Sequence, residues 1–532
     1  MFVPFVFDMF TYRKGFFLWW FYKGLDFVKK TNSALIAREL YINTSVSDFA
    51  GMGRSEAFDS VASREYFLYS LPDDQDLQSE RLYRIPETLV NELIAEKGSI
   101  TDAWCYLLAA ADERLCSCIE TLIDKIEVDC GEKIEGFISF QGQILSLDTV
   151  ANRRNIPVIH WELGCWRHPI YLNTAFWDLE DLYGGNSVEQ RWNRFQKERE
   201  TNEVQIFSKK EILALLLNKE YFYLIEEYDR KASRTAGVAL TSAFVELLSG
   251  KTYMGDMELL YRVRERYGIE NMLIRKHPGD FYGGQYPVYA EAIERKQRNT
   301  PEFIQHCDTV ISLMSGTCME AMLFGRKAIT LFPCPSYFAS GHSIEAEGVC
   351  ADDDFLSYFA FCYLIPLEYM TDVDYLRWRL TAPSEREIYE KHLTFYFGKK
   401  GLPLRLIQKA AGERLVPMLA LQYPPQAVFP FDQIKAGEKI IIYGAGGMGR
   451  GFFRQVHCTK YCTILFFVDQ NAEQISLPDV EVKGPESLRG YDGYDHIVVS
   501  PLDERVQHEI VRALEDNYNV PKEKIVIPTR EI

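Results

Sequence analysis

The stretch "CDTVISLMSGTCMEAMLFGRKAITLF", residues 307–332, reads as strand, turn, helix and strand. An apolar run of strand length stops at Ser315, Gly316 and Thr317. Apolar residues then recur at helical spacing up to Gly325, and a second apolar run follows. This is the βαβ unit of a parallel sheet, which packs with a right-handed crossover. The alternation extends upstream through "AGVALTSAFV" (strand), "DMELLYRVRERYG" (helix) and "NMLIRK" (strand), so residues 233–421 form a doubly wound domain. Further upstream, "IEGFISF", "QILSLDTVANRRN" and "IPVIHWE" make another βαβ unit within residues 1–232. The preceding residues, 1 to about 130, read as mixed helix and loop, with one helix over 100–126. Downstream, three prolines in seven residues mark a linker at 422–436, because proline suits neither a helix interior nor a central strand. Residues 437–532 then alternate strand and helix again. The expected fold class is α/β: two Rossmann-like domains, 1–232 and 233–421, facing a cleft, and a third Rossmann-like domain at the C-terminus.

A chain of 532 residues exceeds one core and suits about three domains. Its formal net charge of −17 disfavours nucleic acid as a partner, since phosphate backbones require a basic surface. The twelve cysteines lack the paired spacing of a zinc site and read as reduced thiols of a cytoplasmic protein, with no metal expected. The first thirty residues are unusually aromatic but contain no run long enough to span a bilayer. Two readings stand: an aromatic core segment, or a peripheral anchor on the inner membrane face, with Trp19, Trp20 and Tyr22 at headgroup depth beside Lys23, Lys29 and Lys30.

Ligands of doubly wound proteins gather at the carboxyl ends of strands. At one such end, Ser315, Gly316 and Thr317 open a helix, where free N–H groups and the helix dipole suit a phosphate or carboxylate. Thr317 and Glu320 also have capping-box spacing, which needs no ligand. Arg275, Lys276 and His277 close another strand of the same domain, and Pro278 fixes the turn. In the first domain Gln141 and Glu162 follow two strands, and Asp178, Glu180 and Asp181 cluster before glycines. Such carboxylates serve as nucleophile and acid/base at a glycosidic centre, or form a solvated acidic loop.

Several of these elements together resemble a known family. They are Glu162-x-Gly164 with Arg167 and Pro169; Asp181-x-x-Gly184-x-Asn186-Ser187; Lys276-His277-Pro278; and the Ser315 to Phe332 stretch. Over residues 134–345 this pattern resembles the bacterial capsule and O-antigen glycosyltransferases, and within them the retaining β-Kdo transferases. The resemblance implies a GT-B architecture, a CMP-Kdo donor, a glycan or lipid-linked glycan acceptor, and contact with a membrane surface or other polysaccharide-assembly enzymes. It implies Asp181 as nucleophile, with Asp178 as the alternative, and Glu162 as the proton-handling carboxyl. Lys276, His277, Ser315, Gly316, Thr317, Glu320 and Gln141 fall on the donor side. No cofactor is required.

In the last domain Gly444-x-Gly446-x-x-Gly449 follows a strand, and Asp469 ends the next, a dinucleotide-binding pattern that allows an NAD-like ligand. An assembly or acceptor-positioning role is the alternative. Two rivals to transfer remain: a sugar-nucleotide epimerase on the same scaffold, and a noncatalytic nucleotide- or glycan-binding assembly protein.

Overall fold

The computed structural model describes residues 1–7, 18–43, 68–70, 72–73, 75–140, 144–184, 186–201, 204–241, 254–277, 287–294, 299–400, 429–459, 461–477, 480–501 and 503–528. They form two compact units. One comprises Met1–Thr201 and Glu226–Tyr389, the other Asn202–Ile225 and Glu390–Ile532. The chain is α/β throughout.

The first unit holds two sheets. The larger joins β1 (Phe2–Val6), β2 (Leu35–Arg38), β3 (Leu82–Ile85), β4 (Gly136–Phe140), β5 (Val158–Leu163) and β6 (Thr174–Asp178). Five of these strands are parallel in the order β3-β2-β1-β4-β5. The antiparallel β6 extends that row. The smaller sheet is wholly parallel and runs β10-β9-β7-β8, from β7 (Arg234–Ala239), β8 (Met272–Arg275), β9 (Cys307–Ser312) and β10 (Lys327–Thr330). The chain then returns to the first sheet, where β11 (Ile365–Pro366) pairs with β6.

The first 130 residues depart from the mixed helix and loop expected of them. They supply three of the five parallel strands, including the central one. Phe2, Val3, Phe5 and Val6 of β1 are buried, as is every residue of β2. Helix α1 (Leu18–Thr31) turns Trp20, Phe21 and Tyr22 into the core, where Trp20 meets Trp161 edge-on at 5.0 Å. Lys23 is buried as well, and donates to the Leu68 carbonyl at 3.2 Å. The peripheral anchor is therefore corrected for these residues: Trp20, Tyr22 and Lys23 pack inside the sheet's cover instead of lying at headgroup depth. The side chain of Trp19 lies outside the description. Among the described residues no helix is long and apolar enough to cross a membrane. The single helix expected over 100–126 is two, Ile100–Ala109 and Glu113–Cys130. Ala110 is extended, and the Asp112 carboxylate accepts from the N–H groups of Arg114 and Leu115 to start the second.

In the second unit β12 (Lys439–Tyr443), β13 (Thr463–Val468), β14 (Val482–Lys483), β15 (His496–Val499) and β16 (Ile525–Val526) are parallel in the order β14-β13-β12-β15-β16. The expected linker lies outside the described residues up to position 428. Its remainder is packed: Phe429 and Phe431 are buried against Phe452 and Tyr461.

Candidate functional site

The site expectation falls wholly within the first unit, apart from the glycine motif. Glu162 is the penultimate residue of β5 and is half-buried. After β5 the chain passes Gly164 and Cys165, and this bend is where the smaller sheet arrives. A Cβ placed on Gly316 would lie 2.9 Å from Cys165 Cβ, closer than real Cβ atoms approach, and 3.2 Å from its Cα, a tight contact. Glycine at 316 therefore lets the Ser315–Thr317 turn sit directly on the bend beyond Glu162.

Within that turn the Ser315 hydroxyl accepts from the Thr317 N–H at 3.2 Å and donates to the Thr317 hydroxyl at 3.1 Å. All three residues are half-buried. The turn opens the short helix α2 (Thr317–Leu323), whose cap residue Gly316 makes no side-chain cap. The capping-box alternative thus fails geometrically. Glu320 is buried and accepts from the Tyr171 hydroxyl at 2.7 Å. Burial pushes its carboxyl up to about 7, although Tyr171, Arg275 and Arg167 favour the ion. Glu320 thereby ties the loop after β5 to the helix after β9.

The two aspartates take different positions. Asp178 ends β6, 1% exposed, and its carboxylate is saturated. One oxygen accepts from the Glu180 N–H at 3.1 Å. The other accepts from the Ser187 N–H at 2.9 Å, the Ser187 hydroxyl at 3.0 Å and the Tyr363 hydroxyl at 2.9 Å. It organises the loop from 178 to 187. Asp181 stands within that loop and is half-buried. Tyr183 reports on the surroundings: burial first, then the charges of Glu162 and Asp181, hold its phenol well above the ordinary range. Both candidate carboxylates therefore act on one side chain.

Lys276 is exposed and His277 half-buried, immediately after β8. Arg275 is committed elsewhere, to Glu294 at 2.7 Å. Gln141 lies outside the described residues. Sequence reasoning missed the neighbours that fix the loop, Tyr171 and Tyr363, and also His160, whose Nε2 lies 3.3 Å from Asp148. Among the described residues no group of three His, Cys, Asp or Glu side chains could hold a metal ion.

In the second unit the glycine motif opens helix α3 (Gly447–Thr459) after β12. A Cβ on Gly449 would meet the Gly444 carbonyl at 1.9 Å, and Gly444 has φ +102°. Packing alone requires both. Asp469, which completes the dinucleotide-binding pattern, accepts from the Ala445 N–H at 2.8 Å and so secures the turn. Only Gly446 of the three glycines borders open space. Packing and this hydrogen bond engage Gly444, Gly449 and Asp469, and no chemical step is assigned to them.

Residues 2–187 match the model of the "Glycosyltransferase 99 family N-terminal domain". No curated protein gives a significant match. Among solved structures, the chain is similar to "Thermosulfurimonas dismutans KpsC, beta Kdo 2,7 transferase", with 17% identity and a TM-score of 0.29, covering 46% of this chain and 81% of that one. The beta Kdo 2,4 transferase from the same organism gives 12% identity, a TM-score of 0.28, and 46% and 88% coverage. The UDP-GlcNAc 2-epimerase of Methanocaldococcus jannaschii gives 13% identity, a TM-score of 0.24, and 62% and 84% coverage.

Proposed function

We propose that this protein, whose first sheet matches a glycosyltransferase domain, moves a sugar from a nucleotide donor to a growing bacterial surface polysaccharide or its lipid-linked precursor. The donor on this reading is CMP-Kdo and the anomeric configuration is retained. One observation carries it: the seating of Gly316 on Cys165, which puts the Ser315–Thr317 turn beside the strand end bearing Glu162. A donor sugar held near Glu162 and Asp181 would have its nucleotide phosphate within the smaller sheet's loops.

The Asp181 carboxylate attacks the anomeric carbon, and the bond from that carbon to the phosphate oxygen breaks with its electron pair leaving on CMP. Lys276, His277 and the hydroxyls of Ser315 and Thr317 stabilise the charge that builds on the phosphate, without a metal ion. An acceptor hydroxyl then attacks the same carbon, displaces Asp181 and gives its proton to Glu162. Two inversions restore the starting configuration. Asp178 holds the loop that presents Asp181. The five-stranded sheet of the second unit serves assembly or acceptor positioning.

Incubation with a panel of CMP-, UDP- and GDP-sugars, with and without a glycan acceptor, tests the reading. The expected result is a retained glycoside formed from CMP-Kdo, undiminished by a chelator, and a transient adduct of one sugar mass on the protein. Donor turnover without acceptor incorporation would favour the epimerase. An inverted product would refute the double displacement.

A further inference from the structure

Against the larger sheet lies a buried cation to which the fold gives no acid of its own. Arg379, near the end of the helix Val373–Leu380, is 5% exposed. Its guanidinium carbon lies 4.2 Å from the ring centroid of Trp177, the residue before Asp178 on β6. Two of its nitrogens, Nε and Nη1, are buried and have no hydrogen-bond partner among the described residues. The indole Nε1 of Trp177 is buried and unpartnered in the same way.

The other buried arginines among the described residues are matched differently. Arg38 has the Glu87 carboxylate at 2.6 Å, and Arg191 has that of Glu385 at 2.9 Å. Glu385 is spent on Arg191, Arg194 and the Cys362 thiol, all of which donate to it. Burial lowers the pKa of both guanidiniums; the Glu385 charge reverses this at Arg191, whereas at Arg379 burial prevails. Arginine does not escape such a site by releasing its proton, so the charge stays. The Trp177 ring face returns only part of what burying a guanidinium costs, and a water molecule could accept from the N–H groups but would bring no charge. What the group lacks is an acceptor that is also negative. Its depth limits that acceptor to a few atoms.

We propose that Arg379 and the Trp177 indole form a buried binding site for one small inorganic anion, a halide or a compact oxyanion. The anion accepts from the guanidinium, neutralises it, and fastens the helix Val373–Leu380 to the strand that ends in Asp178. The site is independent of the transfer reaction and takes no part in its chemistry.

Thermal unfolding of the full-length protein and of Arg379→Met, which keeps an apolar stem but not the charge, tests this in series of sodium chloride, sodium bromide and sodium phosphate. Salts excluded from protein surfaces stabilise folded chains in general, so the quantity read is the difference between the two proteins at each concentration. At minimal anion R379M should melt at or above the wild-type temperature, because an uncompensated buried cation has been removed. As anion is added the wild type should gain on the variant along a saturating curve, as binding to the folded state alone requires. The salt that saturates at the lowest concentration tells halide from oxyanion. Curves that stay parallel in every salt overturn the proposal. So does a variant several degrees less stable throughout, since the charge would then be compensated within the chain. A second measurement needs no variant: crystals of the wild-type protein grown in sodium bromide should show an anomalous peak within hydrogen-bonding reach of the Arg379 guanidinium. Water in place of an anion there, in bromide and in phosphate alike, overturns the site. None of these readings depends on sugar transfer.

Discussion

Replacing Glu320 with glutamine should make the first unit more stable at neutral pH, by an amount that depends on pH in a defined way. The carboxyl is 4% exposed and its pKa is pushed up from 4.5 to about 7, chiefly by burial. A group whose folded pKa is raised stabilises fully below its unfolded pKa and loses that contribution as pH rises through the folded value. Between about pH 4.5 and pH 7 the wild type therefore loses stability through this one side chain. At 1.36 kcal/mol per pH unit, the difference of 2.5 amounts to about 3 kcal/mol above pH 7. Glutamine stays neutral, and its oxygen can still accept from Tyr171. The advantage of E320Q should be near zero at pH 4.5 and reach about 3 kcal/mol by pH 8, several degrees in melting temperature. Thermal unfolding of both proteins from pH 4.5 to 8.5 at constant ionic strength measures it. Parallel stability curves would refute the reasoning, since they would mean that the carboxyl is solvated or ionised throughout.

Gly316→Ala should lower transfer at least tenfold by pushing the Ser315–Thr317 turn off Cys165, and Cys165→Gly in the same chain should restore much of it; activity assays of the single and double variants check this. Asp181→Asn should abolish transfer while donor binding survives, read by activity and donor-binding assays. Asp178→Asn should cost about 2–3 kcal/mol, because an amide cannot accept all the hydrogen bonds its carboxylate takes, and calorimetry beside the kinetics separates the two roles. Arg191→Met should destabilise the first unit by about 3 kcal/mol, read by denaturant unfolding, since buried Glu385 would lose the buried guanidinium at 2.9 Å and keep only the more exposed Arg194 at the same distance.

The smaller sheet was readable because each of its strands is an apolar run stopped by small or polar residues, and the helix between β9 and β10 has clear periodicity. The beginning of the larger sheet was not. The middle one of its five parallel strands, β1, contains Pro4, which argues against an interior position, and β2 and β3 are four residues each. Strands buried on both faces show no alternation, so the aromatic N-terminus concealed a strand and a helix. At the site, the residue types and their strand-end positions were legible. The division of labour between Asp178 and Asp181 was not, because it depends on Tyr363, 185 residues further on. Likewise Glu320 has capping-box spacing but spends its carboxyl on Tyr171, 149 positions away. Local pattern names the candidates, and distant packing sets which of them are held by hydrogen bonds.

The return of the chain to the larger sheet at β11 bears on how the protein is made. Synthesis proceeds from the N-terminus, and early segments begin to fold while later ones are still being added. β1 to β6 are complete by residue 178, yet the strand that covers the outer edge of β6 is Ile365–Pro366. For almost two hundred residues of elongation, the strand ending in Asp178 would present an open edge of unpaired N–H and C=O groups, the feature that invites pairing with another chain. Chains released before residue 366 should therefore be prone to aggregate. The cap itself ends in proline, which lacks the N–H that a further strand would need on that side.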